Sequence, residues 1–267
     1  MTGKELQEKL GWKFPDIAEK YPEQAEEAGR FCEGYKEFLN EGKTERECVK
    51  KAVSMLEEAG YRLFNRRETY GPGDKVYMVN RDKALIATTF GTKPASEGLR
   101  LNGAHIDSPR LDLKPNPLYE KDGLALLKTH YYGGIRKYQW STVPLAMHGV
   151  VYLEDGTKAE ISLGEKEGDP QFCVTDLLPH LAGEQNGRKL SDGIRGEELN
   201  VVIGSLPYED SKDVKEAVKL KVLALLNQYY GMTEKDFIRA EIEMVPAYKA
   251  VDIGLDRGMI GAYGQDD

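Results

Sequence analysis

Cysteine and histidine are both scarce in this 267-residue sequence, and their scarcity narrows the chemistry available to it. The three cysteines, Cys32, Cys48 and Cys173, are odd in number, widely spaced and without any CxxC pair. That excludes a disulfide framework and a thiolate metal site, and it points to a reducing compartment. No apolar run approaches the length of a spanning helix, and the charged N-terminus lacks an apolar signal core. A cytoplasmic location is expected. Basic blocks are missing as well: 37 Lys plus Arg stand against 45 Asp plus Glu, for a net charge of -8. An acidic balance repels phosphate backbones and anionic lipid, so neither nucleic acid nor a membrane is an expected partner. There is no GxSxG elbow, no P-loop and no GxGxxG fingerprint, which removes support for serine hydrolases, P-loop NTPases and common dinucleotide enzymes.

What is present reads as α/β. From residue 23, Ala28, Phe31, Cys32, Tyr35, Phe38 and Leu39 recur at spacings of three and four, which predicts an amphipathic helix stopped by Gly42. Thr44 and Glu47 form a capping-box pattern ahead of a second helix that runs to about Gly60. Segments 75–80, 84–90 and 99–104 are rich in β-formers and predict strands. Near Pro109 the texture changes, with Pro115 and Pro117 close behind, and a domain border is placed there. Beyond it, 150–153 and 159–163 predict strands, 183–198 a polar loop, 213–229 a helix, and 241–251 and 259–263 further strands.

The histidines are His105, His130, His148 and His180. His105 follows the apolar segment 99–104, so it is expected where a strand gives way to a loop, the usual place for site residues in open sheets. Asp107 could accept the second imidazole N–H and make the ring a better metal ligand. A hydrogen-bonded histidine at a strand end is the plain alternative for a bare H-x-D. Adjacent carboxylates at Asp266 and Asp267 suit a hard cation, or are a solvated acidic end.

Four segments together give the pattern a family. GAHIDSPRLDLKP at 103–115, YYGGIRKYQWSTVPLAMHGVV at 131–151, LPHLA at 178–182 and GAYGQDD at 261–267 resemble the aspartyl aminopeptidase family of dinuclear zinc exopeptidases. The resemblance implies a zinc-aminopeptidase (phosphorylase/hydrolase-like) catalytic domain interrupted by a β-rich dimerisation domain. It divides the chain into 1–115, the first part of the catalytic domain, 116–248, the inserted domain, and 249–267, the re-entry. It implies two zinc ions per complete site, with cobalt or manganese as possible substitutes. His105 then matches the first zinc ligand, Asp107 its orienting carboxylate, and Asp266 the aspartate that bridges the metals. His180 is a candidate to reach a neighbouring subunit's pocket, and His130 and His148 are expected to be structural. Peptides are the implied substrates, a homo-oligomer the implied assembly, and removal of N-terminal residues the implied reaction.

Two departures from the family pattern qualify this. Its glutamate pair and late histidine lie beyond the matched segments, so the chain is expected to be an N-terminal part truncated after the bridging aspartate, inactive by itself. Its Asp-Arg pair after the tryptophan is replaced by Ser141, Thr142, Val143 and Pro144, so a preference for acidic substrates is not carried over. The alternatives are a non-catalytic assembly or regulatory subunit that retains the dimerisation domain, and a plain α/β binding module.

Overall fold

Local capping chemistry starts the early helices close to where the sequence places them. The computed structural model describes every residue except 13, 15, 16, 211 and 265–267. Helices α1 (Gly3–Leu10) and α2 (Ile17–Lys20) precede the long α3 (Pro22–Glu41), which carries proline in its first turn, where a missing N–H costs nothing. In α4 (Glu45–Glu58) the Thr44 hydroxyl accepts the Glu47 N–H at 3.3 Å, but only half of the expected capping box forms. The Glu47 carboxylate turns instead to the His148 imidazole, 2.8 Å away.

A three-stranded sheet follows, made of β1 (Arg62–Leu63), β2 (Lys75–Asn80) and β3 (Ala84–Thr89) in that order. The larger sheet has seven antiparallel strands in the order β7-β6-β10-β4-β5-β9-β8. They are β4 (Arg110–Lys121), β5 (Leu124–Tyr132), β6 (Leu145–Tyr152), β7 (Lys158–Leu163), β8 (Cys173–Val174), β9 (Val201–Gly204) and β10 (Ala240–Pro246). A short helix α5 (Gly183–Asn186) lies in the polar loop, and α6 (Ala217–Tyr230) buries Val218, Val222 and Leu226 against β4, β5 and β9. The chain then makes a small pair, β11 (Val251–Ile253) with β12 (Met259–Gly261). The architecture is mixed α/β, with its main core between α6 and the large sheet. Among the described residues no helix is long and apolar enough to cross a membrane.

Several expectations are corrected. Segment 99–104 is not a strand: it has no ladder partner among the described residues, and Leu99 and Leu101 are 78% and 89% exposed. A β-prone sequence remains irregular when no edge receives its backbone groups. Residues 110–121, read as a proline-rich border, form the longest strand. A register shift between Leu113 and Leu118 takes Pro115 and Pro117 out of the β5 ladder, which is how a central strand tolerates residues without an N–H. The expected division at 115/116 thus falls inside β4. The strand expected over 241–251 ends at Pro246. Helix α6 starts at Ala217 rather than near 213, because Glu216 adopts a left-handed backbone with φ of 58°. The Glu120 carboxylate then accepts the N–H groups of Val218 and Lys219 at 2.9 and 3.1 Å. The apolar stripe of α3 is covered only near its end: Leu39 is buried, whereas Phe31 is 76% exposed.

The close approach of β6 and β10 depends on one glycine. Gly149 has φ of 143°, and a Cβ there would lie 2.0 Å from the Glu241 carbonyl oxygen. Gly149→Ala is expected to cost about 2–3 kcal/mol, because backbone rather than a movable side chain stands in the way. Urea denaturation checks this, and a loss below about 0.5 kcal/mol would contradict it.

Candidate metal-binding site

The chain from Gly98 to Pro109 is irregular, and it is tied down at its far end where β4 begins. Arg110 on β4 pairs in register with Tyr132, the last residue of β5. Gly133 continues past β5 at a positive φ of 75° and passes close to Pro109. The C-terminal segment arrives at the same place: the Tyr263 hydroxyl donates to the Pro109 carbonyl at 3.0 Å, and Gly264 lies beside Ser108. Burial pushes the Tyr263 hydroxyl's pKa upward, so it stays a donor. Three of the segments singled out in the sequence therefore meet at one end of the large sheet.

His105 and Asp107 stand at this junction. The His105 Nδ1 lies 2.8 Å from the Asp107 carbonyl oxygen and 3.3 Å from its carboxylate. The Tyr132 hydroxyl donates to the other carboxylate oxygen at 2.7 Å. That hydrogen bond, with smaller help from His105 and Arg110 and against partial burial, holds the Asp107 carboxyl below its ordinary range. An ionised Asp107 only accepts, so Nδ1 carries the proton and Nε2 is the nitrogen able to take a metal. The side chain is 40% exposed, within reach of solvent and ligand. An imidazole whose second nitrogen is engaged by a carboxylate suits zinc, so this pair fits the metal the resemblance implies. Asp266 lies outside the described residues. His180 is exposed in a turn beside the exposed Leu177, Leu178 and Leu181, and His130 is exposed on β5.

Sequence reasoning missed Tyr132 and Arg110. The Arg110 guanidinium sits 4.1 Å from the centre of the Tyr132 ring and is itself 5% exposed. It lies 2.8 Å from Asp112, 3.0 Å from Glu45 and 3.3 Å from Glu243. Burial, followed by the Glu45 charge, pushes Glu243 up to about 8 against the pull of Arg110. Oxygens of Glu45, Glu241 and Glu243 come within 4.8 Å of one another. The protein's own cations already serve them: Arg46 lies 2.9 Å from Glu241, Lys83 also bonds Glu241, and Arg110 faces the other two. A metal ion would have to displace these groups, so the cluster fits a salt-bridge hub between α4 and the sheet.

His148 is a second such link. It is 2% exposed, with Nδ1 2.8 Å from Glu47 on α4 and Nε2 3.3 Å from Glu165. Burial opposes its charge, but the two carboxylates outweigh burial and push its pKa up to about 9. This clamp on both ring nitrogens leaves no lone pair for a metal, consistent with a structural role. A folded-state pKa above the unfolded one stabilises fully below about pH 6.5 and is lost as pH rises through about 9. The contribution is about 3 kcal/mol. Wild-type stability measured by urea denaturation should therefore fall between pH 6.5 and 9.5, and His148→Leu should flatten that fall. Parallel profiles would show that the clamp is not formed.

Comparisons with known proteins agree on one group. The family model described as aminopeptidase I zinc metalloprotease (M18) matches residues 38–267. A probable M18 family aminopeptidase 1 of Clostridium acetobutylicum is 49% identical over 259 residues, covering 95% of this chain and 56% of that protein. Its Thermotoga maritima counterpart is 48% identical over 242 residues, covering 91% of this chain and 52% of that protein. Among solved structures, the M18-family aminopeptidase from Thermotoga maritima matches with a TM-score of 0.86 at 48% identity, over 91% of this chain and 53% of that one. Aminopeptidase I from Borrelia burgdorferi matches with a TM-score of 0.81 at 40% identity, over 92% of this chain and 55% of that one. The chain spans about half the length of the curated relatives it matches.

Proposed function

This chain belongs to the aminopeptidase I zinc metalloprotease family (M18), and on that premise we propose that it forms the first part of a zinc aminopeptidase that removes N-terminal residues from peptides. The observation that carries the proposal is the His105–Asp107 pair, with its carboxylate held by Tyr132 at the junction of β4, β5 and the C-terminal segment. His105 would hold a zinc ion through Nε2. Asp107 keeps the proton on Nδ1 and fixes the ring. Asp266, which lies outside the described residues, would be a further carboxylate ligand at a site for two zinc ions. Zinc, when bound, supplies a Lewis acid that polarises a peptide carbonyl and lowers the pKa of water. The seven-stranded sheet with α6 is the inserted dimerisation domain of a homo-oligomer, and His180, exposed among leucines, approaches the pocket of a neighbouring subunit.

A catalytic zinc needs three protein ligands, and the chain spans about half the length of its relatives, so by itself it is expected to hold zinc weakly and to turn over no peptide. The same observation favours a second reading, a non-catalytic assembly subunit. An assay with aminoacyl reporter substrates under zinc, cobalt and manganese separates the two. The chain would be tested alone and fused to the part of the Thermotoga maritima relative that it does not cover. Turnover by the fusion, lost in its His105→Ala form, supports the aminopeptidase. A folded fusion without turnover supports the assembly subunit.

A further inference from the structure

We propose that Tyr132, delivered by β5 of the seven-stranded sheet, is a positioning residue for the metal ligand: its hydroxyl fixes the Asp107 carboxylate so that Asp107 can hold His105. The proposal rests on the reading of His105 as a zinc ligand and extends it to a residue on the other structural unit.

The geometry has three steps. Tyr132 takes one carboxylate oxygen of Asp107 at 2.7 Å and leaves the other facing His105 Nδ1 at 3.3 Å. Without that hydroxyl, a carboxylate on an irregular segment is free to rotate about its terminal torsion, which is broad. Tyr132, itself 39% exposed, has its ring against the Arg110 guanidinium at 4.1 Å and its backbone held by register, since Arg110 and Tyr132 are directly paired across β4 and β5. Arg110 is buried and held by Glu45 on α4. A residue on a paired strand, with its ring against a buried guanidinium, places its hydroxyl more precisely than an irregular segment places the carboxylate by itself. The large sheet thus does more than carry an interface, because it sets the orientation of a group at the metal site.

Tyr132→Phe removes only the hydroxyl and retains the stacked ring. Cobalt(II) titration of the chain fused to the uncovered part of the Thermotoga maritima relative, followed by visible absorption, would be carried out on wild type, His105→Ala, Tyr132→Phe, Asp107→Asn and the double variant. Groups that orient a metal ligand typically change affinity by about 10–100-fold, and Tyr132→Phe is expected at the lower end, about tenfold weaker. In the Asp107→Asn background the same change should have no further effect, because the group it acts through has been altered. Equal weakening in both backgrounds would mean a general structural role and overturn the proposal. An unchanged affinity in Tyr132→Phe, with cobalt binding still lost in His105→Ala, would overturn the positioning role and leave the zinc-ligand reading standing. Failure of Tyr132→Phe to fold would also overturn it, since the hydroxyl would then support more than Asp107. Cobalt binding that is absent, or indifferent to His105→Ala, would overturn the zinc-ligand reading and the positioning role with it.

Discussion

Arg110→Met is expected to destabilise the fold by about 3–5 kcal/mol, a large share of the stability of an ordinary domain. Arg110 is 5% exposed and stands among Glu45, Asp112 and Glu243, all within 3.3 Å of its guanidinium. Breaking a buried pair from one side leaves the opposite charge in a poor solvent, and here three carboxylates lose their shared cation at once. Glu243 is already pushed up to about 8, and Arg110 is what pulls it down. In the variant its carboxyl should rise further, so the stability that depends on its being protonated is present at acid pH and lost as pH rises. The loss measured by urea denaturation should therefore be smaller at pH 5 than at pH 8. Glu243→Gln in the same background should recover part of it. A loss below about 1 kcal/mol, or one independent of pH, would show that the hub does not form as described.

In the fusion that completes the site, His105→Ala is expected to weaken zinc binding at least about 100-fold, beyond what altering an orienting group alone would do. His105 is the histidine that stands at the junction of 105–110 with the β5 end. His130→Ala, His148→Ala and His180→Ala should leave zinc affinity within about twofold, since none of these stands beside Asp107 in the hydrogen-bond pattern. His148→Ala is expected to lose stability instead, so its binding would be compared under conditions where it remains folded. Equal zinc affinity in wild type and His105→Ala would move the metal elsewhere.

The features that depend on near neighbours in sequence were readable in advance. Helix α4 starts after Thr44 because a hydroxyl and an amide three residues apart need nothing else, and His105 meets Asp107 for the same reason. Features set by register were not readable. Arg110 lies opposite Tyr132 only because β4 and β5 are paired, and Pro115 and Pro117 argued against a strand until the register shift removed them from the ladder. Glu45 and Glu243 look like solvated charges along a chain; their burial around Arg110, which brings the start of α4 to β4 and β10, is encoded by no local pattern. The opposite error arose at 99–104, where a β-prone composition predicted a strand that no partner edge receives.

The most direct test of the central claim is nitrogen NMR of the histidine side chains during zinc addition. The sequence has four histidines, so single substitutions assign every ring. The expected result is that the His105 ring alone responds, with Nε2 showing the shift of a metal-bound nitrogen and Nδ1 remaining protonated towards Asp107. No response at His105, or the same response at His130 or His180, would contradict the assignment of His105 as the zinc ligand.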